Sequence, residues 1–373
     1  MGEDLDAAFP VRKRASAGRW LALLLLAAAN LGLFLIFFGR FTALADVIAP
    51  LTGHLMGLGF AASLAVLFPR RRLALLAAGA AVTIGLHGWL GLARCCEPPG
   101  PLAPAGPIRV AAQASPQSLT VLALNTWHAH GDMPRLERYL AAAPADIVVL
   151  SEFGPDKRPL LGKLKAAYHF QVDCAEWACS LALLSRLPFE AAGVGRIASD
   201  QPAFVWARVA GSMAIVGTHL HRPSRDPWLH ERQMSALAQF IRRIDGPLVL
   251  AGDLNTSPWS SAFQKLTAAT GLIPASILMP SWPAWPLALP QVALDHILVS
   301  PDLAVAAAGT GPAVGSDHLP VWAQLEHRPG VLERGRSRVR RLASRLAAAR
   351  SHLGGELLAD LGREHVGAGD LRR

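Results

Sequence analysis

The sequence predicts an α/β domain that follows three transmembrane helices, and two patterns carry this prediction. Long apolar runs dominate the first 94 of the 373 residues. From Leu119 onward, short apolar runs with strand character alternate with segments of helical periodicity. Such interleaving is typical of sheets covered by helices. We therefore predict a membrane segment at 1–94, a linker at 95–117, a domain at 118–327 and a basic tail at 328–373.

Three apolar segments in the N-terminal region have the length of membrane-crossing helices. They run from Trp20 to Phe38, from Val47 to Phe68 and from Leu73 to Leu92, each close to the roughly 20 residues that a bilayer requires. A buried hydrophobic hairpin in a soluble domain is the alternative, but short charged loops between three such runs favour membrane spans. Cleavage of the first segment as a signal peptide, after Ala43 to Ala45, is a second alternative. The apolar core of that segment has 19 residues, which exceeds the roughly 7 to 15 of signal peptides.

Basic residues are unevenly distributed around these segments. One side has only Arg40 and Arg94. The other side has Arg12, Lys13, Arg14, Arg19, Arg70, Arg71 and Arg72. Because cytoplasmic loops are enriched in Lys and Arg, the N-terminus is expected in the cytoplasm. The chain after Arg94 is then expected outside, in a multi-pass protein of the inner or cell membrane.

The net charge of +9 is the sum of three unlike regions. The number of Lys and Arg residues minus the number of Asp and Glu residues gives the net charge of each region. It is 10 − 5 = +5 for residues 1–117, 15 − 17 = −2 for 118–327 and 11 − 5 = +6 for 328–373. The middle region therefore has no electrostatic basis for tight binding of duplex DNA. The linker is dense in Pro, Ala and Gly, which predicts a semi-extended spacer. The Arg-rich tail predicts either an amphipathic helix from about Val331 to Leu353 or disorder.

Within residues 118–327, apolar runs predict eight strands and helical periodicity predicts three helices. The strand segments are LTVLALNTW, ADIVVLSE, SLALLS, FVWARVA, MAIVGTHL, PLVLAGD, ALDHILVS and LPVWAQL. Helices are expected at MPRLERYLAAA, at SAFQKLTAAT and from Asp226 to about Ile244. Asp226 and Pro227 supply an N-cap and a first turn for the last of these.

Polar residues interrupt these strands near their ends, where a core strand has no use for them. They are Asn125, Glu152, His219, Asp253, Asn255, Asp295, Asp317 and His318. All but the last two are expected at or near the C-terminal end of an apolar run, where loops of such sheets gather catalytic groups. Each residue alone also has a structural explanation, as a turn former, a cap or a satisfied core histidine. Their recurrence at successive strands favours a common site.

In chain order, these residues form motifs that resemble the endonuclease/exonuclease/phosphatase family. The motifs are Asn125, Glu152, THL at 218–220, GDLN at 252–255, LDHI at 294–297 and SDH at 316–318. The resemblance extends from about Leu119 to Leu325. It implies a four-layer sandwich of two packed mixed sheets flanked by helices. It also implies a metal-dependent hydrolase of phosphoester bonds, a class of nucleases, phosphatases and phosphodiesterases.

The resemblance implies a metal site with oxygen ligands. Glu152 is the first expected ligand, Asn125 completes the coordination and Asp317 contributes a further oxygen. Carboxylate and amide oxygens suit a hard divalent cation, which neutralises the phosphate during attack. Magnesium is expected, with manganese as a substitute.

Catalytic roles follow from the same resemblance. Asp253 is expected to be the base that activates water, and Asn255 to orient the phosphate oxygens. His318 would stabilise the crowded phosphorus centre, with Asp295 fixing its tautomer and charge. His219 would donate to a phosphate oxygen.

Other functions compete with the enzyme. A non-catalytic, membrane-held binding module of the same fold is the alternative, although it would be expected to lose Asp253, Glu152 or His318, and all three are present. The substrate stays open among an envelope phospholipid, a nucleic acid and a phosphorylated small molecule, and no protein partner is inferred. The lipid bilayer is the expected partner of the N-terminal segment. The Trp-rich segment 279–290 either inserts at a membrane surface or caps the core.

Cys174 and Cys179 are close enough in sequence to form a disulfide across a short loop. An oxidising compartment outside the cytoplasm favours this bond, in agreement with the expected location of the domain. A zinc site is the alternative, but a C-x₄-C pair without a second ligand pair is poorly suited to zinc. Cys95 and Cys96 are left unassigned.

Overall fold

The computed structural model describes part of the chain. The described residues are 14–37, 42–67, 118–176, 178–196, 202–209, 213–276, 279–284 and 292–327. By residue contacts the chain divides after Glu326, and every described residue except His327 belongs to the first unit. The third predicted span, the linker, Cys95, Cys96 and the basic tail beyond His327 lie outside the described residues.

Two helices occupy most of the first two predicted spans. They are α1 (Arg14–Phe37) and α2 (Thr52–Leu67), which pack against each other. Two short 3₁₀ turns, Ala43–Val47 and Ala49–Leu51, connect them. Among the residues described here, we find no helix with the length and apolarity needed to cross a membrane.

Twelve described strands form two mixed sheets of six strands each. The first sheet has the order β11 (Leu303–Thr310), β12 (Val321–His327), β1 (Leu119–Asn125), β2 (Ile147–Ser151), β4 (Leu181–Ser185) and β3 (Phe170–Cys174). The second sheet has the order β5 (Phe189–Arg196), β6 (Ala203–Val209), β7 (Met213–His219), β8 (Leu248–Asp253), β10 (Asp295–Val299) and β9 (Ile273–Pro274). The pairs β1–β2 and β7–β8 are parallel.

All eight predicted strands are interior strands of these sheets, and the four strands that the sequence did not reveal are the four edges. An interior strand packs on both faces and reads as a continuous apolar run. An edge strand needs no such run. In β5, for example, every residue is exposed or only half-buried, so its sequence has no burial pattern to detect.

Four further helices cover the outer faces of the two sheets. The helices α3 (Met133–Ala142) and α4 (Pro159–Lys163) pack on the first sheet, and α5 (Pro227–Ile241) and α6 (Ser261–Thr270) pack on the second. A third apolar cluster, which includes Val149 and Val249, fills the space between the sheets. The prediction of two packed mixed sheets flanked by helices is therefore confirmed. Asp226 caps α5 as predicted, with its carboxylate accepting from Leu229 N, and the helix ends at Ile241 rather than Ile244.

Asp46 connects the first 3₁₀ turn to the sheet domain. Its Oδ1 accepts a hydrogen bond from Ser261 N at 2.7 Å, and its Oδ2 accepts from Ala262 N at 2.8 Å. These N–H groups belong to the first turn of α6, where backbone N–H groups have no acceptor within the helix. Burial raises the pKa of Asp46, although the two backbone donors oppose this. A buried carboxylate at a helix N-terminus thus joins the turn between α1 and α2 to α6.

Candidate active site

Strand register brings the predicted site residues to one end of both sheets. In the second sheet, His219 at the end of β7 lies beside Asp253 at the end of β8. In the first sheet, Asn125 ends β1 and Glu152 directly follows β2. The side chains meet between the sheets, where Asn125 Nδ2 donates to Asp253 Oδ2 at 2.9 Å across 128 positions of sequence.

Asp295 corrects one detail of the sequence prediction. It begins β10 instead of lying near the end of a strand. Because β10 runs antiparallel to β8, Asp295 still pairs directly with Asp253. Antiparallel pairing also explains His318, which precedes β12, the antiparallel neighbour of β1. Strand direction, which is a property of the sheet, therefore determines which strand terminus supplies a site residue.

Asp253 lies at the centre of the cluster and is fully buried. Its Oδ1 accepts from Asn255 N at 2.8 Å. Its Oδ2 is 3.6 Å from His219 Nε2 and 4.0 Å from His318 Nε2. Burial and the charge of Asp295 raise the pKa of Asp253, while His318 and His219 act in the opposite direction. A carboxylate with a raised pKa and two imidazoles nearby has the properties of a proton acceptor.

His318 and Asp295 form a buried pair. The distance from His318 Nδ1 to Asp295 Oδ2 is 2.6 Å. Burial disfavours the imidazolium, but the charge and hydrogen bond of Asp295 raise the pKa of His318 to about 9. The Nε2 of the same ring faces Asp253. The pair therefore holds a protonated ring against the centre of the site.

Asn255 and His219, which both contact Asp253, also contact each other. Asn255 Nδ2 lies 3.1 Å from His219 Nε2 and donates to Leu220 O at 2.9 Å. The φ of Asn255 is 49°, in the left-handed region. Gly252, at φ 136°, lies so close to β7 that a Cβ there would be 2.1 Å from Thr218 O. The GDLN turn thus needs glycine at its first position because of this close approach.

Glu152 accepts hydrogen bonds from Asn125 and from two residues that the sequence did not indicate, Arg222 and His128. Its Oε1 accepts from Asn125 Nδ2 at 3.1 Å and from Arg222 Nη2 at 3.2 Å. Its Oε2 accepts from His128 N at 2.7 Å, with the ring Nδ1 of His128 at 3.0 Å. Burial opposes ionisation, but the Asn125 hydrogen bond and the charge of His219 lower the pKa of Glu152 to about 2. The group is therefore a carboxylate throughout the physiological pH range.

The backbone of Glu152 is also strained, with a φ of 51°. A non-glycine residue in this region costs on the order of 1 to 3 kcal/mol. Lys157, which is fully buried, donates from Nζ to Glu152 O at 3.0 Å, and Thr126 Oγ1 donates to the same oxygen at 3.0 Å. These two bonds hold the turn that directs the carboxylate into the site. Lys157 lies in a turn before α4, between Asp156 and Arg158, and a lysine in such a charged segment usually faces solvent, so the sequence gives no signal of this role.

The family assignment rests on the sequence profile. A protein-family model described as Endonuclease/Exonuclease/phosphatase family matches residues 122–318, which is more than half of the chain. The chain belongs to this family. All eight predicted site residues lie within the matched range, which begins in β1 and ends at His318. No curated protein matches the sequence.

Solved structures similar to this member of the endonuclease/exonuclease/phosphatase family share little sequence with it. A protein of that family from Bacteroides vulgatus has 17% identity and a TM-score of 0.49, covering 57% of this chain and 99% of its own. A humanized TDP2 of D. rerio has 16% identity and a TM-score of 0.46, covering 56% and 99%. Beta toxin from Staphylococcus aureus has 15% identity and a TM-score of 0.44, covering 55% and 99%.

Members of the endonuclease/exonuclease/phosphatase family depend on a divalent metal, and two groups of described residues can supply ligands. Asp253, Asp295 and His318 offer ligand atoms within 4.8 Å of one another. The hydrogen bond between His318 and Asp295 already engages Nδ1. Glu152 and Asn125 form the second group, whose carboxylate and amide oxygens are the hard donors that magnesium prefers.

Two further observations concern the predicted metal ligands Glu152 and Asp317. The Glu152 carboxylate is contacted by the side chains of His128 and Arg222, which are 65% and 38% exposed. Asp317 accepts from Trp282 Nε1 at 3.3 Å through Oδ2, while its Oδ1 is buried without a hydrogen-bond partner among the described residues. A buried carboxylate oxygen in that state is suited to a cation.

Proposed function

We propose that this protein is a membrane-held, metal-dependent phosphoesterase that hydrolyses phosphodiester or phosphomonoester bonds by in-line attack of water. The observation that carries the proposal is the position of Asp253, which is buried between His219 and His318 and bonded to Asn125 from the opposite sheet. A structural carboxylate would have no need of two imidazoles and a raised pKa. We propose residues 118–327 as the catalytic domain.

The catalytic roles follow from the contacts of each side chain. Asp253 accepts the proton of the attacking water, and Asn255 orients the phosphate with the amide that also contacts His219. His318 holds a proton at Nε2 toward the reacting phosphate, because Asp295 keeps the ring charged through Nδ1. His219, which is 23% exposed, donates to a phosphate oxygen from the open side of the site.

The proposed metal ligands are Glu152, Asn125 and Asp317, with magnesium as the expected ion and manganese as a substitute. A bound divalent cation supplies neutralisation of phosphate charge. Glu152 suits this role because its low pKa keeps it ionised. Asn125 would ligate through Oδ1, which accepts a hydrogen bond from Trp127 N at 2.9 Å, while its Nδ2 donates to Glu152 and Asp253 and holds both carboxylates in place.

Attachment to a membrane is supported by the surface of α1 and α2. Large apolar side chains are exposed there, with Trp20 at 67%, Leu24 at 65% and Phe60 at 64%. Exposed apolar surface of this kind is a contact site for lipid or protein. Asp46 joins the turn between the two helices to α6, which would place the catalytic domain on the same membrane face as that turn. The Arg distribution assigns this face to the outside of the cell.

Hydrolysis is tested on the full chain in detergent micelles against phospholipid vesicles, inositol phosphates and single-stranded and duplex DNA. We expect release of phosphate or alcohol from at least one of them with magnesium and none with EDTA.

Glu152→Gln is expected to need at least about 10-fold more magnesium for half-maximal rate, because loss of a metal-binding carboxylate weakens the site without removing the base. Saturable binding of a substrate without turnover at any magnesium or manganese concentration would instead support the non-catalytic module.

The compartment is tested through Cys174 and Cys179, which form a disulfide. An alkaline phosphatase reporter fused after Leu325 is expected to be active, and a fluorescent protein fused there to stay dark, because the domain is proposed to lie outside the cytoplasm. Thiol labelling of the unfolded, unreduced protein is expected to spare both cysteines and to reach them after reduction. Labelling without reduction, together with a fluorescent fusion, would place the catalytic domain in the cytoplasm.

A further inference from the structure

A cavity of about 520 Å³ opens beside the candidate active site. Glu152 and His219 line the wall that the cavity shares with that site. Its other walls are the loop closed by the disulfide, the end of β5 at Arg196 and the chain that links β7 to α5. A molecule whose phosphate lies against His219 can therefore extend into this cavity.

The lining of the cavity is basic. The basic residues are Arg196, Arg222, Arg225, His128, His219 and His221. Among the described lining residues, Glu152 is the only acidic one. Residues 118–327 together have a net charge of −2, so the cavity concentrates positive charge within a weakly acidic domain. A concave surface of one sign attracts ligands of the opposite sign.

Two hydrogen bonds hold arginines at the cavity wall. Arg196 Nη2 donates to Ala178 O in the disulfide loop at 2.9 Å, and Arg222 Nη2 donates to Glu152 Oε1 at 3.2 Å. Arg225 is exposed at the rim, in the same short segment as Arg222. Because a guanidinium presents its donors in a planar fork, arginines held in this way are suited to bind phosphate oxygens.

We propose that this cavity binds a second phosphate group of the substrate, next to the phosphoester that is hydrolysed. The inference rests on the proposed function, since it assigns the hydrolysed phosphoester to the neighbouring site. The ligand is a compact molecule with two phosphate groups, either a soluble polyol or the headgroup of a phospholipid, because the positive charge is confined to one cavity of about 520 Å³ in a domain whose net charge is −2.

Binding of propane-1,3-bisphosphonate to the full chain in detergent and EDTA tests the cavity without turnover. We expect Arg196→Gln and Arg225→Gln each to weaken binding by about 10-fold, the effect of one charge-assisted contact to phosphate. Arg138→Gln, on the exposed face of α3, serves as the matched control and is expected to stay within about 2-fold of wild type. Arg196→Gln also removes the hydrogen bond to Ala178 O and could alter the disulfide loop. Arg225→Gln lies in a different segment, so weaker binding by both variants is not explained by a change in that loop. Wild-type affinity in both cavity variants would overturn the proposal.

Vesicles distinguish the two sources of the phosphate. Phosphatidylcholine vesicles that contain phosphatidylinositol 4-phosphate or phosphatidylinositol are compared for binding to wild type and to both arginine variants. A preference for the doubly phosphorylated lipid that the variants lose assigns the phosphate to a headgroup. Arginine-dependent binding of the bisphosphonate without this preference assigns it to a soluble molecule. If both arginine variants bind the bisphosphonate and the vesicles as well as wild type does, the proposal is overturned. If binding depends on the arginines but no substrate is hydrolysed, only the proposed catalysis is contradicted.

Discussion

Asp253→Asn is expected to lower the kcat for phosphoester hydrolysis by about 10²- to 10⁴-fold, the usual contribution of a general base, while KM changes little. The reason is the position of the carboxylate. Asp253 contacts Asn125 and Asn255 and lies within 4.0 Å of both imidazoles, where it can accept the proton of water. Steady-state kinetics with the best substrate of the panel measures the two constants. Asp253→Ala is expected to give a similar loss.

Thermal unfolding separates this catalytic role from a structural one. Burial and the charge of Asp295 disfavour the ionised form of Asp253, so a neutral isostere is expected to keep or raise the Tm. Asp245→Asn, at an exposed position after α5, is the matched control and is expected to change neither kcat nor Tm. A fall of several degrees in Tm with a normal kcat in Asp253→Asn would show that the residue supports the fold and not the reaction.

His318→Ala is expected to lower kcat by about 10²- to 10⁴-fold, because it removes the proton donor that faces Asp253. Asp295→Asn keeps the ring and removes only the charge that raises its pKa. In the wild type the pKa of His318 is about 9, so the protonated ring, and the rate that depends on it, is lost as the pH rises through about 9. Without the Asp295 carboxylate this pKa falls, and the rate is expected to be lost at lower pH.

The pH dependence of kcat and the NMR titration of the His318 ring test this second prediction. Both are expected to move toward lower pH in Asp295→Asn, whereas loss of a packing contact alone would move neither. Asp302→Asn, in the turn before β11, is the matched control and is expected to leave both curves in place. An alkaline limit that is unchanged in Asp295→Asn would contradict the role of the pair.

Sequence patterns revealed the interior of the sheets but not their edges. The eight predicted strands are the eight interior strands, since only these are apolar on both faces. The helix N-cap was also predictable from the sequence, since Asp226 caps α5 where expected. β11 was not found from the sequence, because half of it is only partly buried and its alanines fit a helix as well as a strand. The first and last strands of each sheet thus required the structure.

The sequence by itself determined the family, the interior strands and the polar residues at their ends, because each of these is a local pattern of residue types. Only the tertiary structure decided which of those residues touch. The contact between Asn125 and Asp253 depends on how two sheets pack, and the contacts of Arg222 and His128 with Glu152 depend on loops that carry no motif. The same holds for Asp46, which lies 215 positions before its partner Ser261. Hydrogen bonds between distant segments leave no periodicity in the chain, since their geometry exists only after the layers have packed.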